Sequence, residues 1–212
     1  KKDSPWVITE TISLPDDIEI LADGAHLVLG DGTFINMFAT ENYLEKNTNT
    51  PQKNIEIHGI NNAVFDGGKY NGLSEFTSSK NGLPHISVNT MMIFYNTENL
   101  YVHDIKIINQ RWWALNFVYC AHGYIGNIDF CANDTAIDRD GVEYHGLRRD
   151  AYAEILVKTA DGVDLRQGCH DILIENITGF TEDDSIALTA LNGNIERTFA
   201  VEGLSSDLCN VE

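Results

Sequence analysis

Four times along the chain a polar residue is followed three positions later by an aliphatic one, and three later again by isoleucine. The occurrences are Asn54-x-x-Ile57-x-x-Ile60, Asn99-x-x-Val102-x-x-Ile105, His122-x-x-Ile125-x-x-Ile128 and Asp171-x-x-Ile174-x-x-Ile177. Their starts lie 45, 23 and 49 residues apart, which reads as two coils, one coil, and two coils with a small insertion. The implied repeat is about 22–24 residues. Around each occurrence the apolar residues alternate as in strands (Ile55 and Ile57, Leu100 and Val102, Ile105 and Ile107, Ile172 and Ile174), and helical periodicity over 11 or more residues is missing. A short strand between polar turns cannot bury its apolar edge alone; parallel stacking of coils about 4.8 Å apart buries a continuous column. The pattern predicts an all-β chain folded as a right-handed, single-stranded parallel β-helix.

Asparagine recurs where such coils must turn, at Asn61, Asn62, Asn109, Asn127 and Asn176, because it tolerates left-handed backbone and bonds its own neighbours. Residues 1–53 are less regular and read as an N-terminal cap and first coils; 54–212 read as β-helix coils. The polar segments 40–53, 67–90 and 133–153 read as lateral loops, the usual walls of a solenoid's cleft. Asp207 to Glu212 reads as the opening of another coil, so the solenoid is expected to end mid-stack, its last face covered by further C-terminal coils or by another chain.

Composition narrows the partners. Fourteen Lys and Arg against 32 Asp and Glu give a net charge of −18, which argues against nucleic acid or an anionic membrane surface. No apolar run approaches the roughly 20 residues that span a bilayer. Cys120, Cys131, Cys169 and Cys209 show no C-x-x-C spacing, so zinc bound by cysteine is not expected and buried thiols are.

The candidate chemistry lies in two segments, Thr159-Ala-Asp161-Gly162-Val163-Asp164-Leu165 and Glu182-Asp183-Asp184-Ser185-Ile186-Ala187-Leu188. Aligning Val163 with Ile186 offsets them by 23 residues, one coil. Stacking then brings Asp161, Asp183 and Asp184 together, with Asp164 pointing outward a little further along. Crowded like charges push at least one carboxyl's pKa up, so that one stays protonated while another is ionised. Glycoside hydrolysis needs that pairing of acid and base.

These residues resemble the polygalacturonase-like glycoside hydrolases of family 28, from about Asn54 onward. Asn62-Ala-Val-Phe-Asp66-Gly67-Gly68 is similar to that family's Gly-x-Ile-Asp-Gly segment, and Pro84, Ile86, Asn99, Val102, Asn109, Trp113 and Leu115 follow as in those enzymes. Asp161-Gly162 matches Asn-Thr-Asp-Gly, with Thr159-Ala160 in place of Asn-Thr; Asp183-Asp184 matches Gly-Asp-Asp, with Glu182 in place of Gly. The resemblance implies a pectin-lyase-like β-helix that cleaves a galacturonate-containing or related polysaccharide with inversion and without a cofactor. It makes Asp183 the general acid and gives Asp161 and Asp184 the attacking water. The expected location is secreted or extracellular, with the cytoplasm as the alternative.

Arg148, Arg149 and His145 are candidate ligands for a sugar carboxylate, or else a solvated loop face. Arg166 and Asp164 are placed near substrate, with Arg166 either a substrate ligand or the partner that neutralises these acids. Of Trp112 and Trp113, one is expected to face the core and the other to be free to stack on a sugar. His170 reads as structural. No metal site is assigned, with calcium on the acidic cluster as second choice. The rival readings are a polysaccharide lyase and a non-catalytic glycan-binding or adhesive solenoid.

Overall fold

The computed structural model describes residues 4–47, 49–68, 90–110, 112–132, 136–137, 142–144, 160–190 and 203–212. Within them the chain is a parallel β-helix with two long faces. The first face stacks β1 (Trp6–Ile8), β4 (His26–Leu29), β7 (Val64–Asp66), β9 (Thr97–Ile108), β11 (Ala121–Cys131), β15 (His170–Phe180) and β17 (Cys209–Val211). Into it β3 (Ile18–Asp23) and β6 (Gln52–Ile60) also enter, β6 pairing along the first half of β9 and β7 along its second. The second face stacks β2 (Ile12–Leu14), β5 (Phe38–Thr40), β8 (Met92–Tyr95), β10 (Trp113–Val118), β14 (Asp161–Leu165) and β16 (Ile186–Leu188). A short antiparallel ribbon joins β12 (Ala136–Ile137) to β13 (Glu143–Tyr144), and one helical turn, α1, spans Glu41–Leu44.

The repeated apolar positions become columns. Ile20, Ile57, Val102, Ile125 and Ile174 stand in register on the first face, as do Ile105, Ile128 and Ile177. On the second face Ile12, Phe38, Met92, Leu115, Val163 and Ile186 form another. Apart from Ile186, which is exposed, both sets meet in one continuous core. Spacing misled in one respect: Ile57 pairs directly with Val102, and Ile125 directly with Ile174. The 45- and 49-residue steps are therefore single coils, and the expected pairs of coils are not there.

The first polar position of each repeat has a physical reason. Asp17, Asn54, Asn99, His122, Asp171 and Asn210 all adopt φ between 49° and 60°, the left-handed corner that Asn and Asp occupy most readily among residues with a Cβ. Their side chains form a ladder, Asn54 donating to Asp17 at 2.6 Å, Asn99 to Asn54 at 2.9 Å and Asn210 to Asp171 at 2.7 Å. A second ladder runs from Asn176 to Asn127 to Asp104, at 3.0 and 2.9 Å. The Asp66-Gly67-Gly68 motif ties two coils: Asp66 accepts from Asn109 Nδ2 at 2.9 Å and from the Gly68 N–H at 2.8 Å, and a Cβ on Gly67 would run into the Asn109 carbonyl.

Phe117 is fully buried and stacks on Phe94 of the preceding coil, ring centroids 5.0 Å apart. Phe117→Ala empties one level of the column and is expected to cost about 3–5 kcal/mol, read as a lower midpoint in urea unfolding. Of the cysteines, Cys120 and Cys169 are buried on adjacent coils, the Cys120 N–H donating to Cys169 Sγ at 3.4 Å. Cys131 is half-buried, and Cys209 is exposed, contrary to the expectation of four buried thiols. No helix among the described residues is long and apolar enough to cross a membrane.

Candidate active site

The carboxylates come from β14 and from the turn leading into β16. Val163 pairs with Ile186, Asp164 with Ala187 and Leu165 with Leu188, the 23-residue offset expected from the sequence. The turn is fastened to β14 by its backbone: Glu182 N–H donates to the Ala160 carbonyl at 3.0 Å, and Gly162 N–H to the Asp184 carbonyl at 2.9 Å. Asp184 returns a backbone N–H to the Asp161 carboxylate. Asp183 and Asp184 are both exposed, and the Asp183 carbonyl accepts from Thr181 Oγ1, whose hydroxyl also meets Ser185 Oγ at 2.9 Å. Asp161, Asp183 and Asp184 thus occupy one place on the second face.

Gly162 makes the close approach possible. A Cβ there would stand 2.5 Å from the Ser185 carbonyl oxygen and 3.1 Å from the Phe130 ring. Gly162→Ala is expected to push β16 off β14, lowering the thermal midpoint and separating Asp161 from Asp183, with a larger relative loss of turnover than Phe117→Ala causes at equal stability.

Asp161 is 7% exposed and its Oδ1 has no hydrogen-bond partner. Burial first, then the charges of Asp183 and Asp184, push its carboxyl up to about 7; the Asp184 N–H and the Arg166 charge act the other way. Burial in low dielectric disfavours the ionised form, and neighbouring carboxylates add to it. The trio therefore retains a proton near neutral pH.

Behind Asp161 lies a buried polar layer. Asp164 is 0% exposed, and Arg166, 3% exposed, donates from Nη2 to Asp164 Oδ1 at 3.1 Å while its guanidinium lies 3.3 Å from the centre of the Trp113 ring. Burial raises the Asp164 carboxyl, and the charge of Asp161 adds to that against the pull of Arg166. Both side chains turn away from the main core as expected, and both are buried, the arrangement of the reading in which Arg166 neutralises these acids. They face each other and support the trio from behind. Trp112 and Trp113 differ from expectation: neither joins the main core, and both pack with Ala39, Ile93, Tyr95, Val118 and Tyr119, the residues that alternate with core side chains along β5, β8 and β10. The outer side of the second face is itself covered, so no indole stands free there. His170 Nδ1 lies 2.8 Å from Asp171 Oδ2. Arg148, Arg149 and His145 lie outside the described residues.

Asn116 was not singled out from sequence. It is the register partner of Asp164, 0% exposed, with both amide atoms buried and unpaired. Alternation from Leu115 puts it on this face, but only the pairing of β10 with β14, across a 48-residue separation, brings it to Asp164.

The residues that match a family model run from 7 to 202, and the model is that of the glycosyl hydrolases of family 28. The chain belongs to that family. A polygalacturonase of Persea americana is 28% identical to this family 28 chain over 131 residues, 58% of the chain. The chain spans 28% of that protein's length. A crystal structure from Parabacteroides merdae, described as a candidate glycosyl hydrolase, superposes with a TM-score of 0.53 at 14% identity, covering 95% of this chain and 75% of the other. That likeness concerns the fold.

Proposed function

We propose that this family 28 chain carries the acid/base centre of a glycosidase acting on a pectin-type, galacturonate-containing polysaccharide, with inversion and without a cofactor. The observation that carries the reading is one buried carboxyl, Asp161, held protonated up to about pH 7 by burial and by Asp183 and Asp184 across a single coil. Asp183, exposed like Asp184, donates the proton to the leaving glycosidic oxygen. Asp161 and Asp184 hold and deprotonate the attacking water.

In the free protein the retained proton sits on Asp161, whereas donation requires it on Asp183. Strongly coupled carboxyls titrate as a unit, so its position follows solvation. In the substrate complex the proton passes to Asp183 and leaves Asp161, beside the Asp184 N–H and Arg166, as the ionised base. Asp164, Arg166 and Asn116 set the position of Asp161. Arg148, Arg149 and His145 are proposed to meet sugar carboxylates, giving an acidic body local positive charge for a polyanion. A polymer too large to cross a membrane places the work of the whole protein outside the cell.

The test is product analysis with the full-length protein on polygalacturonate. The expected result is new reducing ends, an inverted anomeric signal in the first minutes by proton NMR, and no change after chelation. An unsaturated product absorbing in the ultraviolet would replace this reading with a lyase; tight glycan binding with no product would replace it with a binder.

A further inference from the structure

On the outer side of the first face, away from the acidic trio, β3, β6 and β9 bring together Glu19, Glu56, His58, His103 and Asp104. Glu19 and Glu56 are register partners, as are His58 and His103. The two imidazoles stack with centroids 5.2 Å apart, each side chain only 18% exposed. His58 Nε2 lies 2.8 Å from Glu19 Oε1, and His103 Nε2 lies 3.0 Å from Glu56 Oε1. The other nitrogen of His103, Nδ1, lies 2.6 Å from Asp104 Oδ2.

That last contact orients the ring and leaves Nε2 facing the Glu56 carboxylate. A carboxylate on Nδ1 with Nε2 aimed at a charge is how metal-binding histidines are oriented. Coordinating atoms of Glu56, His58 and His103 all lie within 4.8 Å of one another. A tetrahedral zinc with ligands at its usual 2.0–2.1 Å sets them roughly 3.3 Å apart, within reach of small side-chain rotations on a rigid sheet. Mixed imidazole and carboxylate donors suit zinc, copper or nickel, and calcium prefers oxygen alone.

We propose that Glu56, His58 and His103 form a transition-metal site, with zinc as the preferred occupant, Glu19 or water as fourth ligand and Asp104 as the positioning carboxylate. The metal staples adjacent coils and plays no part in hydrolysis. The experiment is calorimetric titration of the full chain, freed of tag histidines, with zinc chloride, alongside thermal unfolding with and without the metal. One equivalent is expected to bind and to raise the midpoint. His58→Ala and His103→Ala should abolish binding, and Glu56→Gln, the mildest change, should weaken it. Asp104→Asn, which keeps the left-handed corner, should weaken it about 10- to 100-fold. His122→Ala, in the separate His122–His170–Asp171 cluster, and Asp183→Asn should leave it intact. Absence of saturable binding, or binding that survives both histidine variants in correctly folded protein, overturns the site.

Discussion

Asp183→Asn is expected to lower kcat on a pectic substrate by about 10²–10⁴-fold, the usual contribution of a positioned proton donor, while KM changes little. An amide fills the same volume on an exposed turn, so the coils and the backbone bonds from Glu182 and Gly162 that fix it remain. What disappears is the donated proton. Asp161→Asn and Asp184→Asn should each lose a comparable factor through the attacking water. Because the three act as one unit, the double variant of Asp161 and Asp183 should fall little further than the worse single one. The pH profile carries the same information: kcat/KM of the native protein should decline above about pH 7, as the trio gives up the proton that burial and mutual repulsion let it keep. Retention by Asp183→Asn of more than a tenth of native turnover would remove Asp183 from the reaction.

Most of the architecture was legible because it repeats. The polar-x-x-aliphatic-x-x-Ile phase located both the strands and the corners, since the first polar residue of each repeat takes left-handed backbone and Ile105, Ile128 and Ile177 fill one column, with Ile60 of the first repeat left exposed. The offset of Val163 and Ile186 located the acidic trio for the same reason. The number of coils was not legible: a distance of 45 residues from Asn54 to Asn99 is as consistent with two plain coils as with one longer coil, and only hydrogen bonding between β6 and β9 decides.

The fates of Arg166 and Trp113 were also hidden. Alternation correctly turned Arg166 away from the core, but an outward residue is exposed only if nothing covers that side. Here the second face carries its own apolar cluster, so the guanidinium is buried against an indole and a carboxylate. Likewise Asn116 is a plain alternating residue until β10 and β14 pair. The acidic character of the trio was readable from residue type; the burial that raises the Asp161 carboxyl came from contacts distant in the chain.

That burial has a stability consequence of definite sign. The Asp161 carboxyl has an ordinary value of 3.8 and is held at about 7 in the folded protein. Below the lower value it is protonated in both states and costs nothing. As pH rises through the interval, the unfolded chain releases the proton and the folded one does not, so stability is lost progressively, and above about 7 the full cost is present. At about 1.4 kcal/mol per pH unit, the ceiling on that cost is about 4 kcal/mol, and coupling to Asp183 and Asp184 brings the realised figure below it. Asp161→Asn never ionises. Relative to the native protein it should therefore gain nothing from this source at pH 3 and most at pH 8, with the rise concentrated between about 4 and 7. Any loss from placing an amide opposite the Asp184 N–H is independent of pH and cancels in the comparison. At roughly 2–4 °C per kcal/mol for a chain of this size, the difference in thermal midpoint between variant and native should widen by up to about 10 °C over that range. A difference that stays flat from pH 4 to 8 would mean that Asp161 ionises as freely in the folded chain as in the unfolded one, and that the trio holds no proton to give.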